Sequence, residues 1–234
     1  MAERKGGAKL KLGVLISGRG SNLQSLIDAS ANPDYPAEIA LVISNVPDAK
    51  GLARCRQPNI ATAVIDHKDF DDRGSFEEEL DKTLRAQGVD LVCLAGFMRL
   101  LTDAFVKRWR DRLINIHPSL LPAFKGLNVH ERAVEAGVRF AGCTVHYVRP
   151  AMDDGPIIVQ AAVPVHPDDD ADTLAARILG QEHRIYPLAV GLIAEGRVRV
   201  VGERVLIDGV RSPEGTLINP VGWGGKTTRQ FPLD

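Results

Sequence analysis

A nearly continuous apolar run at residues 89–95 is the sequence feature that most constrains the fold. It follows residues 75–87, where apolar side chains recur at helical spacing and where Ser75 and Glu78 predict a capping box at the helix start. A strand that is apolar on both faces is typical of a parallel sheet with helices packed on either side. This pair of segments therefore predicts an α/β architecture.

The rest of the chain continues the alternation of strands and helices. Strands are predicted at residues 10–17, 39–43, 61–65, 113–117, 144–148 and 157–165, with the last two as a candidate pair. Further helices are predicted from residue 23, at 51–56, from 102 or 103 to 109, at 129–135, and from 170 or 172 to about 194. Asp208-Gly209 indicates a hairpin turn. We expect a doubly wound, Rossmann-like, mostly parallel sheet with helices on both faces.

We expect a single domain at residues 10–211, because no low-complexity linker divides the chain. Its N-terminal half would cover about residues 10–110 and its second half about residues 111–211. Residues 1–9 are expected to form a flexible N-terminal tail. Residues 212–234, rich in Gly, Pro and Thr, are expected to form a loose C-terminal tail.

Composition argues against several classes of protein. Lys and Arg number 29 against 30 Asp and Glu, so the formal net charge of -1 argues against a general nucleic-acid or membrane-surface binder. Cys55, Cys93 and Cys143 are far apart and form no CxxC motif, which argues against a zinc site or a disulfide framework. No apolar run reaches transmembrane length. We therefore expect a soluble, cytoplasmic protein, and the sequence leaves both a monomer and a homodimer open.

Residues 115–122 carry the main candidate for an active site. Asn115 and His117 lie two residues apart at the end of a predicted strand, so their side chains should leave it on one face. Pro118 and Pro122 then interrupt regular structure. A strand end with two polar groups and a stiff loop is a common way to build an active site on an α/β sheet. On these residues alone, the alternative is that both side chains only bond loop backbone.

The glycine-rich residues 17–22 have the chemistry of an anion site. Glycines let the backbone approach a ligand, and the helix start behind them offers free N–H groups and the positive end of a dipole. The segment lacks the ending of a Walker loop and the third glycine of a dinucleotide loop, which favours a monophosphate. The alternative is a tight turn in which Ser21 or Asn22 caps the helix.

Three other features each have a structural and a functional interpretation. Asp153 and Asp154 precede a Gly-Pro pair, and they are either turn residues or carboxylates that face His117. The strand exit at residues 94–101 is unusually apolar, so it either lines a pocket for a flat ligand or packs in the core. His146 is either a wall of a site or a core histidine.

Taken together, these segments resemble the phosphoribosylglycinamide formyltransferases, the folate-dependent enzymes of purine synthesis. The resemblance runs from about residue 12 to residue 207 and rests on residues 16–23, 94–99, 115–122 and 153–156. The segment at 115–122 is shared with the wider formyltransferase group, and the Ser-Gly-x-Gly-Ser-Asn loop favours this member. The resemblance implies a formyltransferase-type fold. It also implies formyl transfer from 10-formyltetrahydrofolate, as co-substrate, to the amine of glycinamide ribonucleotide, without a metal.

The resemblance also implies roles for individual residues. The catalytic set falls on Asn115 and His117, which stabilise a tetrahedral intermediate, and on Asp153, which assists proton transfer. The half at residues 10–110 would hold the phosphate, and the half at 111–211 would contain the catalytic and folate centre.

The same resemblance implies which residues contact the substrates. The phosphate loop falls on Gly20, Ser21 and Asn22, and a ribose contact falls on Glu182. The folate pocket falls on Arg73, Met98, Leu100, Leu101 and Asn115, near Val106.

The loop after Pro122 reads Ala-Phe-Lys-Gly, where the family more often has a Lys-Tyr/Phe-x-Gly pattern. Two other departures bear on substrate binding. Leu179 stands where a polar ribose contact is usual, and Asp154 stands where a glycine is usual. One alternative is a formyltetrahydrofolate hydrolase that uses the same three polar residues with water as acceptor. We expect neither the extra N-terminal domain of that enzyme nor the RNA-binding domain of the enzyme that formylates initiator methionyl-tRNA. The other alternative is a nucleotide-binding module without catalysis.

Overall fold

The structure, a computed structural model, describes residues 8–56, 58–212 and 214–220. In this part of the chain the strands are β1 (Leu10–Ile16), β2 (Ala37–Ser44), β3 (Thr62–Val64), β4 (Leu91–Leu94), β5 (Leu113–His117), β6 (Phe140–Tyr147), β7 (Ile157–Pro164), β8 (Val198–Val201) and β9 (Arg204–Ile207). The α-helices are α1 (Ser21–Ser30), α2 (Arg73–Ala86), α3 (Asp103–Arg108), α4 (Val129–Glu135) and α5 (Ala171–Ala194). Short 3-10 helices lie at Lys50–Cys55 and His67–Asp69.

Seven strands form one sheet in the order β3-β2-β1-β4-β5-β6-β7. The strands from β3 to β5 are parallel, and β6 and β7 continue the sheet antiparallel. The strand order reverses direction between β1 and β4, and in such sheets the ligand crevice lies beyond the carboxyl ends of the strands at that point. The predicted mostly parallel, doubly wound sheet is confirmed, and the two candidate partner strands are β6 and β7.

Strand β4 contains the apolar run that predicted a sheet covered on both faces, and its side chains are buried on both faces. Leu91 and Cys93 are buried in one hydrophobic core, while Val92 and Leu94 are buried in a second core on the opposite face. Residues of α1, α4 and α5 contribute to the first core, and residues of α2 and α3 contribute to the second. Because both faces are occupied by apolar packing, polar chemistry is left to the strand ends and their loops.

The start of α2 differs from the prediction. The helix begins at Arg73, and the carboxylate of Asp72 accepts a hydrogen bond from the backbone N–H of Ser75 at 2.8 Å. The capping box predicted for Ser75 and Glu78 is therefore wrong. Asp72 is the stronger acceptor, and the Ser75 hydroxyl instead donates to the Asp72 carbonyl at 3.0 Å.

The predicted hairpin turn at Asp208-Gly209 is also wrong. β8 and β9 pair antiparallel, and the turn between them is Gly202-Glu203, where Gly202 has a φ of 61°. Asp208 lies after the hairpin, and its backbone N–H donates to the carbonyl of Arg197 at 2.9 Å. Asp208-Gly209 therefore ends the pairing of the two strands instead of turning the chain.

The predicted tails and the division into halves stay predictions. Residues 1–7 and 221–234 lie outside the described residues, as does Pro213. Cys55, Cys93 and Cys143 are buried free thiols. No helix within the described ranges is long and apolar enough to cross a membrane.

Candidate active site

The carboxyl end of β5 is the centre of the candidate active site. Asn115 and His117 occupy alternate positions of the strand, and antiparallel β6 places His146 opposite Asn115 and Thr144 opposite His117. The Thr144 hydroxyl donates to the carbonyl of Ser119 at 2.7 Å. This bond fixes the start of the proline-containing loop, so His117 leaves the strand from a rigid backbone.

The ring of His117 has an acceptor on each side. Its Nε2 lies 3.0 Å from the carbonyl oxygen of Phe124, and its Nδ1 lies 3.5 Å from Oδ2 of Asp153. A carbonyl oxygen and an ionised carboxylate only accept hydrogen bonds, so a ring protonated on both nitrogens satisfies both contacts. The Nδ1 contact is the longer of the two. The arrangement therefore suits an imidazolium whose Nδ1–H can turn toward a ligand.

The carboxylate of Asp153 lies between the two histidines. Its Oδ2 accepts a hydrogen bond from the backbone N–H of Gly126 at 2.8 Å, and its Oδ1 lies 3.9 Å from Nε2 of His146. The backbone of Asp153 has a φ of 51°, a left-handed conformation that favours glycine. The structure thus brings Asp153 to His117, as one interpretation of the Asp-Asp-Gly-Pro turn predicted.

His146 orients the amide of Asn115. Its Nδ1–H donates to the carbonyl of Tyr147 at 3.0 Å, so the neutral ring presents an unprotonated Nε2 that accepts from Nδ2 of Asn115 at 3.4 Å. Burial lowers the pKa of His146, although its backbone hydrogen bond and Asp153 oppose that shift. A neutral His146 therefore turns the amino group of Asn115 into the site. Thr144 and His146 alternate along β6, which pairs with β5. This alternation is the sequence signal that could have identified the role of His146.

The glycine-rich loop leaves the start of α1 open. Gly20 takes a left-handed conformation with φ 67° and occupies the N-cap position, without a side-chain cap. The alternative in which Ser21 or Asn22 caps the helix is therefore not what the structure contains. The loop packs on the 3-10 helix at Lys50–Cys55, where the N–H of Gly51 donates to the carbonyl of Gly18 at 2.9 Å. The N–H groups of the first turn are thus available to an anion.

Glu182 of α5 reaches this loop directly. Nδ2 of Asn22 donates to Oε2 of Glu182 at 2.7 Å, and both side chains are buried. Among the described residues, Oδ1 of Asn22 has no hydrogen-bond partner. Burial raises the pKa of Glu182, while the hydrogen bond from Asn22 and the nearby His117 act to lower it. Glu182 therefore links α5 to the glycine-rich loop.

The apolar exit of β4 is split between core and surface. Phe97 packs in the core, whereas Met98 and Leu100 are 69% and 62% exposed. The backbone N–H of Met98 donates to Oγ of Ser17 at 2.8 Å, and that hydroxyl donates to Oδ1 of Asn45 at 2.6 Å. The exposed pair thus sits on a fixed backbone beside the glycine-rich loop, and could bind a flat apolar ligand.

The other residues predicted for the folate pocket are not all beside this centre. Arg73 lines a cavity of about 270 Å³ together with His67, Phe70 and Arg99. Leu101 is half-buried and Val106 is buried in the core. Within residues 8–56, 58–212 and 214–220, no group of three or more His, Cys, Asp and Glu side chains could hold a metal ion.

Several contacts of the site have no signal in the sequence. Phe124 and Gly126 hold His117 and Asp153 through backbone atoms, which a residue pattern does not reveal. Burial lowers the pKa of His130, at the start of α4, and the nearby His117 lowers it further.

The two departures noted at Leu179 and Asp154 have different surroundings. Leu179 is half-buried on α5, and its aliphatic side chain offers no hydrogen bond near Glu182. Asp154 is exposed and pairs with Lys125 of the preceding loop.

Residues 10–190 match the family described as formyl transferase. This match covers more than half of the chain, and the chain therefore belongs to the formyl transferase family.

Similar relatives within this family share an activity in their names. The phosphoribosylglycinamide formyltransferase of Haemophilus influenzae is 44% identical over 209 residues, which cover 89% of this chain and 99% of that protein. Glycinamide ribonucleotide transformylase 1 from Symbiobacterium toebii has a crystal structure with a TM-score of 0.84 and 47% identity, covering 88% of this chain and 98% of that one. The resemblance and the formyltransferase-type fold are confirmed.

A longer relative contains the same region as one part of a larger protein. The trifunctional purine biosynthetic protein adenosine-3 of Gallus gallus is 49% identical over 192 residues. These residues cover 82% of this chain but only 19% of the chicken protein.

Proposed function

We propose that this protein transfers a formyl group from 10-formyltetrahydrofolate to the primary amine of glycinamide ribonucleotide, a step of purine synthesis. The observation that carries the proposal is the cluster at the end of β5, where His117 lies 3.5 Å from Asp153 and Asn115 is oriented by His146. The names of the bacterial relatives support the choice of glycinamide ribonucleotide as the acceptor of the formyl group. Both substrates are small metabolites, in keeping with the expectation of a cytoplasmic enzyme.

The ribonucleotide is expected to bind along the glycine-rich loop and α5. Its phosphate would accept hydrogen bonds from the first-turn N–H groups of α1, at Ser21 and Asn22 after Gly20, where the helix dipole also favours an anion. Glu182 would accept from a ribose hydroxyl, and the unpaired Oδ1 of Asn22 is a second acceptor at the same place. Leu179 contributes no hydrogen bond, so the ribose contact rests on Glu182.

The formyl-folate is expected to bind between the exit of β4 and the β5 cluster. Met98 and Leu100 are exposed apolar side chains, which is where a flat pterin ring gains most from leaving water. Arg73 and Arg99 line a neighbouring cavity together with Asp71 and Asp72, and the two guanidinium groups are the candidate partners for an anionic tail. When bound, this co-substrate supplies the activated formyl carbon.

Asn115 and His117 would act as the amine attacks the formyl carbon. Negative charge then develops on the formyl oxygen, and preorganised donors stabilise it. The second N–H of the Asn115 amino group and the Nδ1–H of His117 are the donors in this role. Each donor of this kind typically contributes about 10²–10³-fold in rate.

Asp153 would serve the proton transfers. The attacking amine becomes an ammonium that must lose a proton, and the departing folate nitrogen must gain one. Asp153 stabilises the imidazolium of His117 and can pass a proton through a water molecule, help that is worth about 10²–10⁴-fold. No residue of the chain forms a covalent bond to substrate in this scheme.

The direct experiment is to incubate the purified protein with 10-formyltetrahydrofolate, with and without glycinamide ribonucleotide. We expect formylated ribonucleotide by mass spectrometry and release of tetrahydrofolate that depends on the amine substrate. Equal release without the amine would identify a formyltetrahydrofolate hydrolase. Binding of the ribonucleotide without any release would identify a non-catalytic nucleotide-binding module.

A further inference from the structure

Two loops meet beside the end of β5. The first loop, residues 118–128, follows β5, and the second loop, residues 148–156, joins β6 to β7. In the first loop, the carbonyl of Phe124 accepts from Nε2 of His117, and the N–H of Gly126 donates to Asp153. Residues 124–126 therefore contact both His117 and Asp153, and the separation of these two side chains matters for proton transfer.

The backbone on both sides of this contact is in an unfavourable conformation. Phe124 has a φ of 52° and Asp153 a φ of 51°, values that cost free energy for residues other than glycine. Such conformations persist where surrounding contacts determine them. The conformations of Phe124 and Asp153 therefore require restraints from the contacts around them.

Lys125 supplies such a restraint. It lies between Phe124 and Gly126, and its ammonium forms an ion pair with the carboxylate of Asp154, the neighbour of Asp153 in the second loop. The main chain of Lys125 is itself fixed, because Nη1 of Arg132 donates to its carbonyl at 2.7 Å. Lys125 is thus held at its carbonyl by Arg132 and at its ammonium by Asp154.

We propose that the Lys125–Asp154 ion pair is a positioning clamp, which sets the separation of His117 from Asp153 without contacting substrate. The clamp joins the residue between the two backbone contacts to the residue next to the catalytic carboxylate. Its members are partly exposed, at 35% for the Lys125 side chain and 55% for that of Asp154. Such pairs contribute little to overall stability, so the effect of the clamp should appear in catalysis and not in the free energy of unfolding.

The clamp is tested by charge reversal, singly and together. Lys125→Glu and Asp154→Lys each place like charges across the two loops, and we expect kcat for formyl transfer to fall at least about tenfold, since misplacement by ~1 Å can cost on the order of 100-fold. KM for both substrates and the melting temperature should change little. The double variant restores opposite charges and should return to within about threefold of the wild-type kcat.

A second readout does not depend on the reaction. The ¹⁵N chemical shifts of the His117 ring report its hydrogen bonds and protonation, and they can be assigned with the His117→Gln variant. Each single charge reversal should move these shifts, and the double variant should restore them. The matched control is the Lys82–Glu79 pair on the surface of α2, with a separation of 3.2 Å, where the same reversals should change neither kcat nor the shifts.

The kinetic readout of the clamp rests on the proposed function, whereas the readout from the ring chemical shifts does not. The two can therefore fail separately. A wild-type protein that transfers no formyl group overturns the proposed function, while the ring shifts still decide whether the clamp positions His117. Single reversals that keep wild-type shifts and turnover, or a double variant as impaired as the singles, overturn the clamp.

Discussion

At the scale of single residues, two histidines a few ångströms from one carboxylate are adapted to opposite charge states. His117 faces two acceptors, the Phe124 carbonyl and Asp153, and is satisfied when both ring nitrogens carry a proton. His146 faces one acceptor and one donor, the Tyr147 carbonyl and the Asn115 amide, and is satisfied when neutral. The proposed oxyanion donors depend on this difference, because a protonated His146 would turn the amide of Asn115 away.

The neutral state of His146 predicts a pH dependence of stability. Burial lowers its pKa below the ordinary value of 6.5, so the unfolded chain binds more protons between the two values. Stability should therefore fall as the pH decreases below the ordinary histidine pKa of 6.5, and His146→Gln should show a shallower fall in the free energy of unfolding measured by urea denaturation.

The pH effect will shrink in this variant without vanishing. Burial also lowers the pKa values of His130 and His183, which contribute with the same sign. His166→Gln, at an exposed position, is the control that should keep the wild-type profile. Parallel profiles for wild type and His146→Gln would contradict the neutral assignment.

At the scale of elements, the site depends on close packing between the glycine-rich loop and the 3-10 helix at Lys50–Cys55. A Cβ on Gly20 would lie 2.8 Å from Cα of Gly51, and one on Gly51 would lie 3.1 Å from the carbonyl oxygen of Gly18 and 3.2 Å from Cα of Gly20. The sequence predicted the glycine-rich turn as an anion site, because glycines before a helix have a local signature. It could not predict the role of Gly51, because that glycine is needed by a contact between distant segments.

A methyl group at Gly51 should therefore disturb the phosphate loop. Gly51→Ala is expected to raise KM for the ribonucleotide at least about tenfold and to lower stability by about 1–3 kcal/mol, since overpacking shifts the backbone. Steady-state kinetics and thermal unfolding measure the two effects. At Gly191 the nearest atom to an added Cβ is Cε2 of Tyr35 at 3.5 Å, so Gly191→Ala should keep the wild-type KM. Equal KM values for Gly51→Ala and wild type would count against this loop as the phosphate site.

The two boundary errors have the same physical origin at this scale. A capping box and an Asp-Gly turn are local sequence patterns, and more than one position in a short segment can fit each pattern. Contacts with residues outside the pattern decide where the helix starts and where the chain turns. Asp72 offered a better acceptor to α2, and the bond from Asp208 to Arg197 placed Asp208 at the end of the β8–β9 hairpin.

At the scale of the whole molecule, α5 joins the two ends of the site to the sheet. Its Glu182 bonds Asn22 at the glycine-rich loop, and its Tyr186 hydroxyl donates to the carbonyl of Leu94 in β4 at 2.8 Å. The alternation of strands and helices predicted a doubly wound sheet. It did not predict the strand order, because the order depends on which edges meet over long sequence separations.

The buried bond from Tyr186 should make a measurable contribution to stability. Tyr186→Phe removes the donor to Leu94 at a fully buried position, and we expect a loss of about 1–3 kcal/mol in the free energy of unfolding. Urea denaturation followed by circular dichroism measures it. The comparison is Tyr35→Phe, which removes a 2.7 Å bond to the carbonyl of Pro187 at a half-buried position and should cost less. A larger loss for Tyr35→Phe would contradict this view of α5.

The central claim is that Asn115 and His117 stabilise the charge that develops on the formyl oxygen. The most direct test is the single-turnover rate of formyl transfer with enzyme in excess over substrates. The wild type should convert glycinamide ribonucleotide, and Asn115→Ala and His117→Ala should each be slower by about 10²–10³-fold with both substrates still bound. Rates within a few-fold of wild type for either variant would contradict the claim.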